Sequence, residues 1–351
     1  MDRKEALQFL ASTPHVVPEG EAYAAHFFEP SDGTGVARLF YAVYGDGYPI
    51  DTYYIPERLA EENRRGTIRS TVARTVSGEV VAHAALYRSS PPNPRLYEYG
   101  VGLTLPSYRS TMAFFRATQL LMRLVGKDGI DGIFGEAVCN HTITQKLTQH
   151  AKGLETAVEP ALMPAEAYET EWSGLGRVGC LVYFRVDVDQ RKPLFLPRPY
   201  RDQLRFIMEG FTLDREIVEA DSGIPAGEAA VEVGRFDFAG VARCTVTAPG
   251  ADLPGRLRAL EQRLRADNYA LIQCFVDLGQ PWAGGVVEQL RGQGYALGGL
   301  LPIWFGTDGL LLQKHLVDPN FAGMKIHSDR SRALVERSEE HTSELQSHSF
   351  I

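Results

Sequence analysis

Tyr97–Leu121 reads YEYGVGLTLPSYRSTMAFFRATQLL, and its two halves follow different periods. The first half reads as a strand running out through Leu103, Thr104 and Leu105. Pro106 stops it, because proline has no N–H to give to a sheet. The second half reads as a helix, with Phe114, Ala117, Leu121 and Val125 recurring on one face. Between them lie Tyr108, Arg109, Ser110 and Thr111. A helix start leaves N–H groups unpaired and its dipole favours negative charge. Arg109 adds a fixed positive fork and the hydroxyls add donors, an arrangement that suits a pyrophosphate. The same residues also serve as an ordinary helix cap beside a solvated arginine.

The elements around this stretch alternate. Upstream, EAYAAHFFEP reads as a strand. A helix follows through GVARLFYAVYG, with Asp32 as its cap and Gly45 as its stop. IPERLAEEN reads as a short helix with proline in its first turn. TIRSTVART and EVVAHAALYR form a hairpin about VSG. Downstream come strand IDGIFGEAV, helix HTITQKLTQHAK and strands LETAVEPALM and RVGCLVYFRV. Pro193, Pro197 and Pro199 in VDQRKPLFLPRPYRDQ predict a linker. Beyond it AAVEVGRF, GVARCTVTA, LPGRLRALEQRLRA, YALIQCFVDL, WAGGVVEQLRGQGY, ALGGLLPIWF and GLLLQKHL repeat the order more loosely. The pattern predicts an α/β (α+β) chain with two mixed-sheet domains, 1–190 and 191–336, built as one unit used twice. Two unrelated α/β domains remain the alternative.

Composition narrows the class. The chain has 351 residues, 44% hydrophobic and 23% charged, so it can bury two cores and is not a disordered scaffold. A net charge of −8 argues against a nucleic-acid or anionic-membrane partner. No apolar run reaches the ~20 residues of a membrane helix, and MDRKEALQFL lacks the continuous apolar core and small-residue cleavage site expected of a signal peptide. Four widely spaced cysteines (Cys139, Cys180, Cys244, Cys274) form no CxxC pair. The expectation is a cytoplasmic protein with buried free thiols and no metal.

RSEEHTSELQSHSFI, residues 337–351, breaks this character. It is polar, lacks periodicity and resembles a translated sequencing adapter, so it is expected to be a non-native tail outside the fold. Without its one basic and three acidic residues the net charge eases from −8 to −6.

The order of elements around LPSYRSTMAFF resembles the GNAT (GCN5-related N-acetyltransferase) superfamily. There a strand and PxYR lead into the acetyl-CoA loop Q/R-x-x-G-x-G/A. EVVAHAAL resembles the second hairpin strand of that fold and HAKGLE its usual helix ending. The likeness covers roughly residues 20 to 186 with the loop motif, and residues 195 to 330 by element order alone. The resemblance implies an acyltransferase that moves an acetyl or other acyl group from CoA to an amine, on a small molecule or a protein.

By this resemblance the CoA thioester lies in a V between the strands ending at Leu105 and Val138. Its pantetheine pairs with backbone at Val101, Leu103 and Leu105, and its pyrophosphate meets Arg109, Ser110, Thr111, Met112 and Ala113. Glu98 is the implied general base, a task that suits a carboxylate of raised pKa. His150, beside Gln149 where many members carry a tyrosine, is the candidate acid for the departing thiolate. Glu136 and His83 are weaker candidates. The loop after the first helix, VYGDGYPIDTYYIPE, implies an acceptor pocket in which Tyr44, Tyr48, Asp51 and Tyr53 meet a cationic amine. Met112 and Phe114 replace the two loop glycines. This departure, with the missing tyrosine, supports a second reading: a catalytically silent acyl-CoA-binding or regulatory module. In the second half Asp252 and Pro254 oppose phosphate at the corresponding turn, so that half reads as a degenerate copy.

Overall fold

In a computed structural model the structure describes residues 1–18, 20–165 and 176–348. The chain divides into two compact units, Met1–Ile133 and Phe134–Ile351.

The first unit is an antiparallel meander in the order β1 (Tyr23–Phe27), β2 (Ile68–Thr75), β3 (Val80–Tyr87) and β4 (Leu96–Thr104). α1 (Arg3–Ser12), α2 (Gly33–Tyr44) and α3 (Pro56–Arg65) precede its central hairpin, and α4 (Ala113–Leu121) follows β4. The two-residue period of β3 explains its two-sided burial. Val81 and Ala85 join Val36 and Phe40 of α2 in one cluster, whereas Ala84 and Leu86 join Leu121 of α4 in another. α1 has no counterpart in the sequence reading. Its signature was present: Asp2 and Glu5 form a capping box, each side chain accepting the other's backbone N–H at 2.9 Å.

The second unit holds β5 (Gly132–Val138), which starts just before the boundary, then α5 (Ile143–His150), β6 (Leu154–Met163) and β7 (Val178–Val186). After these come β8 (Lys192–Leu196), α6 (Arg201–Met208), β9 (Arg215–Glu219), β10 (Ala230–Phe236) and β11 (Val241–Ala248). α7 (Leu253–Ala266), β12 (Leu271–Asp277), α8 (Ala283–Arg291), β13 (Ala296–Leu301), β14 (Gly309–His315) and α9 (Asp329–His348) complete it. Its main sheet runs β5-β7-β6-β13-β14-β12-β11-β10. β13 reaches β6 through Gly299 opposite Ala157. A Cβ at Gly299 would lie 2.2 Å from the Thr156 carbonyl oxygen, so only glycine permits this approach.

Three expectations are corrected. The compact units divide at Ile133/Phe134, and the proline-rich segment lies within the second. That segment is no linker. Lys192–Leu196 pairs in parallel with Arg215–Glu219, and Leu194 and Leu196 are buried. Pro193 is tolerated there because its sheet has only two strands, while Pro197 and Pro199 fall beyond β8, where they start the Arg198–Tyr200 turn. Residues 337–348 are helical and continue α9. Ser338 is buried and bonds to the Leu297 carbonyl at 3.2 Å, and the Arg337 guanidinium lies 4.5 Å from the Phe206 ring. All four cysteines are buried and unbridged, and burial pushes the Cys139 thiol up to about 12. Among the described residues no helix is long and apolar enough to cross a membrane.

Candidate functional site

The β3–β4 pairing sets the geometry of the first unit. Tyr87 faces Glu98 and Ala85 faces Gly100, but His83 faces Leu103, so β4 carries one extra residue in between. This is a β-bulge, and Val101 within it takes a φ of 51°. A β-branched residue in that region costs about 1–3 kcal/mol and must be held there. His83 does the holding. Its Nδ1 lies 2.9 Å from the Val101 carbonyl oxygen and its Nε2 lies 3.0 Å from Ser70 Oγ. The ring is fully buried, and desolvation lowers its pKa to about 4. It is therefore neutral at pH 7. A carbonyl can only accept, so Nδ1 carries the proton and Nε2 accepts from Ser70. His83 is a structural clamp, which removes it as a proton acceptor for a substrate.

On the same face of β3 and β4, Glu98 meets an aromatic wall. The Tyr87 hydroxyl donates to Glu98 Oε1 at 2.5 Å. Burial raises the phenol pKa values of Tyr48 and Tyr53 well above the ordinary range, and the negative charge of Glu98 adds to both. Both tyrosines stay protonated, and both lie within electrostatic reach of this carboxylate. The wall is built on Phe40 of α2. Tyr53 stacks on it at 4.7 Å, Tyr48 meets it edge-on at 4.9 Å, and Tyr53 touches the His83 ring at 5.8 Å. Tyr44 is exposed, with its ring 5.1 Å from that of Tyr48.

The loop bearing these tyrosines is fixed at both ends. The Tyr54 hydroxyl accepts from the Tyr48 N–H at 3.0 Å and donates to the Gly45 carbonyl at 2.7 Å. Arg3 of α1 binds Asp51 at 2.6 Å and the carbonyls of Asp46 and Tyr48 at 2.7 and 2.9 Å. Arg58 adds a second cation 3.6 Å from Asp51. The Asp51 carboxylate is thus engaged by two arginines of its own chain, and it braces the loop. Tyr53 is only 2% exposed and belongs to the inner layer of the wall.

At the end of β4, Leu103 and Leu105 bury their side chains, and the Leu105 N–H bonds to the Val81 carbonyl at 2.8 Å. Pro106–Tyr108 forms one 3₁₀ turn, anchored by the Tyr108 hydroxyl to the Pro18 carbonyl at 2.9 Å. Thr111 closes the turn: its hydroxyl donates to the Tyr108 carbonyl at 2.7 Å and accepts the Ala113 N–H at 3.2 Å. Arg109, Ser110 and Met112 are exposed. The start of α4 leaves the N–H groups of Phe114 and Phe115 without helical partners. Phe114 points the other way, over β4. A Cβ at Gly102 would lie 2.5 Å from its ring, so Gly102 supplies the floor on which Phe114 rests.

The remaining candidates lie in the second unit. His150 ends α5, exposed, with Nδ1 2.6 Å from the Lys146 carbonyl. Gln149 donates to Glu155 at 3.0 Å. Glu136 is paired with Arg243 at 2.9 Å. At the turn before α7, Asp252 accepts from Ala229 N at 2.7 Å and from Arg256 at 2.5 Å, so carboxylate and guanidinium neutralise each other. Among the described residues no group of three or more His, Cys, Asp or Glu side chains is arranged to hold a metal.

Sequence reasoning thus singled out Glu98, Tyr48 and Tyr53, which the structure brings together, but missed Tyr87, Ser70 and Arg3. The eight residues between Tyr87 and Leu96 hide the hairpin register that sets Tyr87 opposite Glu98.

No protein-family model matches this chain, and no curated protein matches it. Solved structures do. A ribosomal-protein-S5-alanine acetyltransferase from Vibrio fischeri aligns over 50% of this chain and 98% of its own, at 12% identity and a TM-score of 0.37. A GCN5-related N-acetyltransferase from Kribbella flavida aligns over 47% and 98%, at 19% identity and a TM-score of 0.35. An acetyltransferase from Salmonella typhimurium, solved with acetyl-CoA, aligns over 48% and 96%, at 13% identity and a TM-score of 0.37. Each of these three is named as an acetyltransferase, one of them as GCN5-related, and each aligns over about half of this chain.

Proposed function

We propose that this protein transfers an acyl group, acetyl in the simplest case, from acyl-CoA to an amine. The observation that carries the proposal is the convergence of Glu98 with Tyr87, Tyr48 and Tyr53 on one face of the β3–β4 hairpin. A half-buried carboxylate ringed by aromatic faces attracts a cationic amine through charge and cation–π contact. Glu98 then takes the ammonium proton, leaving the lone pair that attacks. The new N–C bond forms and the C–S bond breaks; the attacking nitrogen loses its second proton to solvent, which leaves a neutral amide, and the departing thiolate takes up one proton to become the thiol. His150 is the proposed donor of that last proton.

The thioester supplies the activated acyl carbon. Arg109 and the N–H groups at the start of α4 would hold its pyrophosphate, because the Arg109 side chain is exposed and has no ion pair or hydrogen bond among the described residues. Ser110, Thr111, Met112 and Ala113 would line the turn, with Val101, Leu103 and Leu105 alongside the pantetheine. The Leu105 N–H and the Val101 carbonyl are already used internally, so pairing falls to the other backbone groups of β4. Tyr44 and Tyr48 are the proposed acceptor contacts, with the second half a degenerate copy of the same unit.

The second reading, a silent acyl-CoA-binding or regulatory module, draws on Met112 and Phe114, where glycine would let backbone approach phosphate. Calorimetry with acetyl-CoA and thiol release over an amine panel separate the two. Binding with turnover supports the transferase, binding without turnover supports the module, and no binding removes both.

A further inference from the structure

A cavity in the first unit lies apart from the aromatic wall around Glu98; of the residues described there, only Ser70, which bonds to His83, also lines it. Its volume is about 500 Å³, within the range of small-molecule sites. Phe27, Phe28, Pro30 and Leu124 give it an apolar wall, and Arg69 and Asn63 give it a polar one. Arg64 also lines it, but its guanidinium is taken by Glu61 through two contacts of 2.7 Å. Arg69 differs. Its guanidinium lies over Gly66, where an added Cβ would sit 2.8 Å from the terminal nitrogen, and its buried Nε has no hydrogen-bond partner. Among the described residues no hydrogen bond or ion pair engages the rest of this guanidinium, so the part of Arg69 that lines the cavity is available to a ligand acceptor.

The lining selects the ligand. One cation with no side-chain partner among the described residues, beside phenyl and leucyl surface, fits a single negative charge on an apolar body. Asp128 on the same lining opposes a polyanion such as phosphate. The planar fork of arginine matches a carboxylate through two parallel hydrogen bonds. We propose that this cavity binds a small apolar monocarboxylate, with its carboxylate on Arg69 and its body against Phe27, Phe28 and Leu124. The inference is independent of the acyltransferase reading, since neither Arg69 nor the apolar residues it invokes belong to that site.

The test is calorimetry on the full chain with phenylacetate, its neutral counterpart phenylacetamide, and inorganic phosphate. Phenylacetate should bind, phenylacetamide at least ~10-fold more weakly, and phosphate more weakly than phenylacetate. Arg69→Gln should weaken phenylacetate at least ~10-fold, whereas Glu98→Gln should leave it unchanged. A matching circular-dichroism melt of Arg69→Gln establishes that the variant is folded, and Leu124→Trp, which fills the cavity without touching the cation, should also abolish binding. No phenylacetate binding by the wild type, equal binding of acid and amide, tighter phosphate binding, or undiminished binding by Arg69→Gln would each overturn the proposal.

Discussion

His83 Nδ1 donates to the Val101 carbonyl across 2.9 Å, and this bond holds the bulge that interrupts β4 between Gly100 and Leu103. Because the ring is buried and its pKa lowered to about 4, the clamp works only in the neutral form. The unfolded chain takes up a proton at this histidine as pH falls below 6.5, whereas the folded chain resists until near 4. The unfolded state therefore binds more protons in that window. The stabilisation is fully present above 6.5 and is lost as pH drops toward 4, by about 3 kcal/mol for the whole shift. Urea denaturation of wild type and His83→Asn at pH 7.5 and 4.5 should show the wild type losing more stability than the variant. Equal losses would contradict the clamp. His315, buried beside the Pro160 carbonyl with its pKa lowered to about 4, adds its own slope to both proteins.

Gly102 and Phe114 form a matched pair. A methyl group at Gly102 would press into the ring at 2.5 Å. Gly102→Ala should destabilise by about 1–3 kcal/mol. Most of that cost should vanish in a Phe114→Ala background, giving a coupling of at least ~1 kcal/mol in a denaturation double-mutant cycle. Additive effects would show that the ring is free to leave.

The Arg109 side chain is exposed and engages no protein partner among the described residues. Arg109→Ala should leave thermal stability nearly unchanged, within ~0.5 kcal/mol. It should weaken acetyl-CoA at least ~10-fold by calorimetry, the worth of a charge-assisted contact. Unaltered affinity would place the pyrophosphate elsewhere.

Asp51 is held by Arg3 at 2.6 Å and Arg58 at 3.6 Å on a part-exposed surface. Exposed pairs of this kind contribute ~0–1 kcal/mol, so Asp51→Asn should fold normally. Engaged as it is, Asp51 should matter little to a cationic acceptor, and KM for the amine should change less than ~3-fold. A larger rise would return Asp51 to the pocket.

The contrast between Glu98 and Asp51 shows what was legible in the sequence. Local patterns located the strand, the turn and the helix of 97–121, and placed Glu98 on its strand. They also marked the elements from β10 to β14, whose periods and glycine stops are local. What partners a side chain finds depends on chain segments far away. Asp51 reads as free until Arg3, 48 residues earlier, is folded against it. His83 reads as a candidate base until burial fixes its tautomer. The bulge at Val101 has no signature of its own, since valine is a poor choice for a positive φ and only the clamp makes it tolerable. The prolines near 193–199 signalled a break, yet a two-stranded ribbon accommodates Pro193 and the turn after it takes Pro197 and Pro199. The polar segment after Glu336 shows no amphipathic repeat, yet it extends a helix whose start is already packed.

The most direct test of the central claim is thiol release by Glu98→Gln with an amine that the wild type acylates. Glutamine keeps the shape and still accepts from Tyr87, but it cannot take the ammonium proton. Turnover should fall about 10²–10⁴-fold, with acetyl-CoA affinity by calorimetry unchanged. Wild-type turnover in Glu98→Gln would contradict the role assigned to this carboxylate.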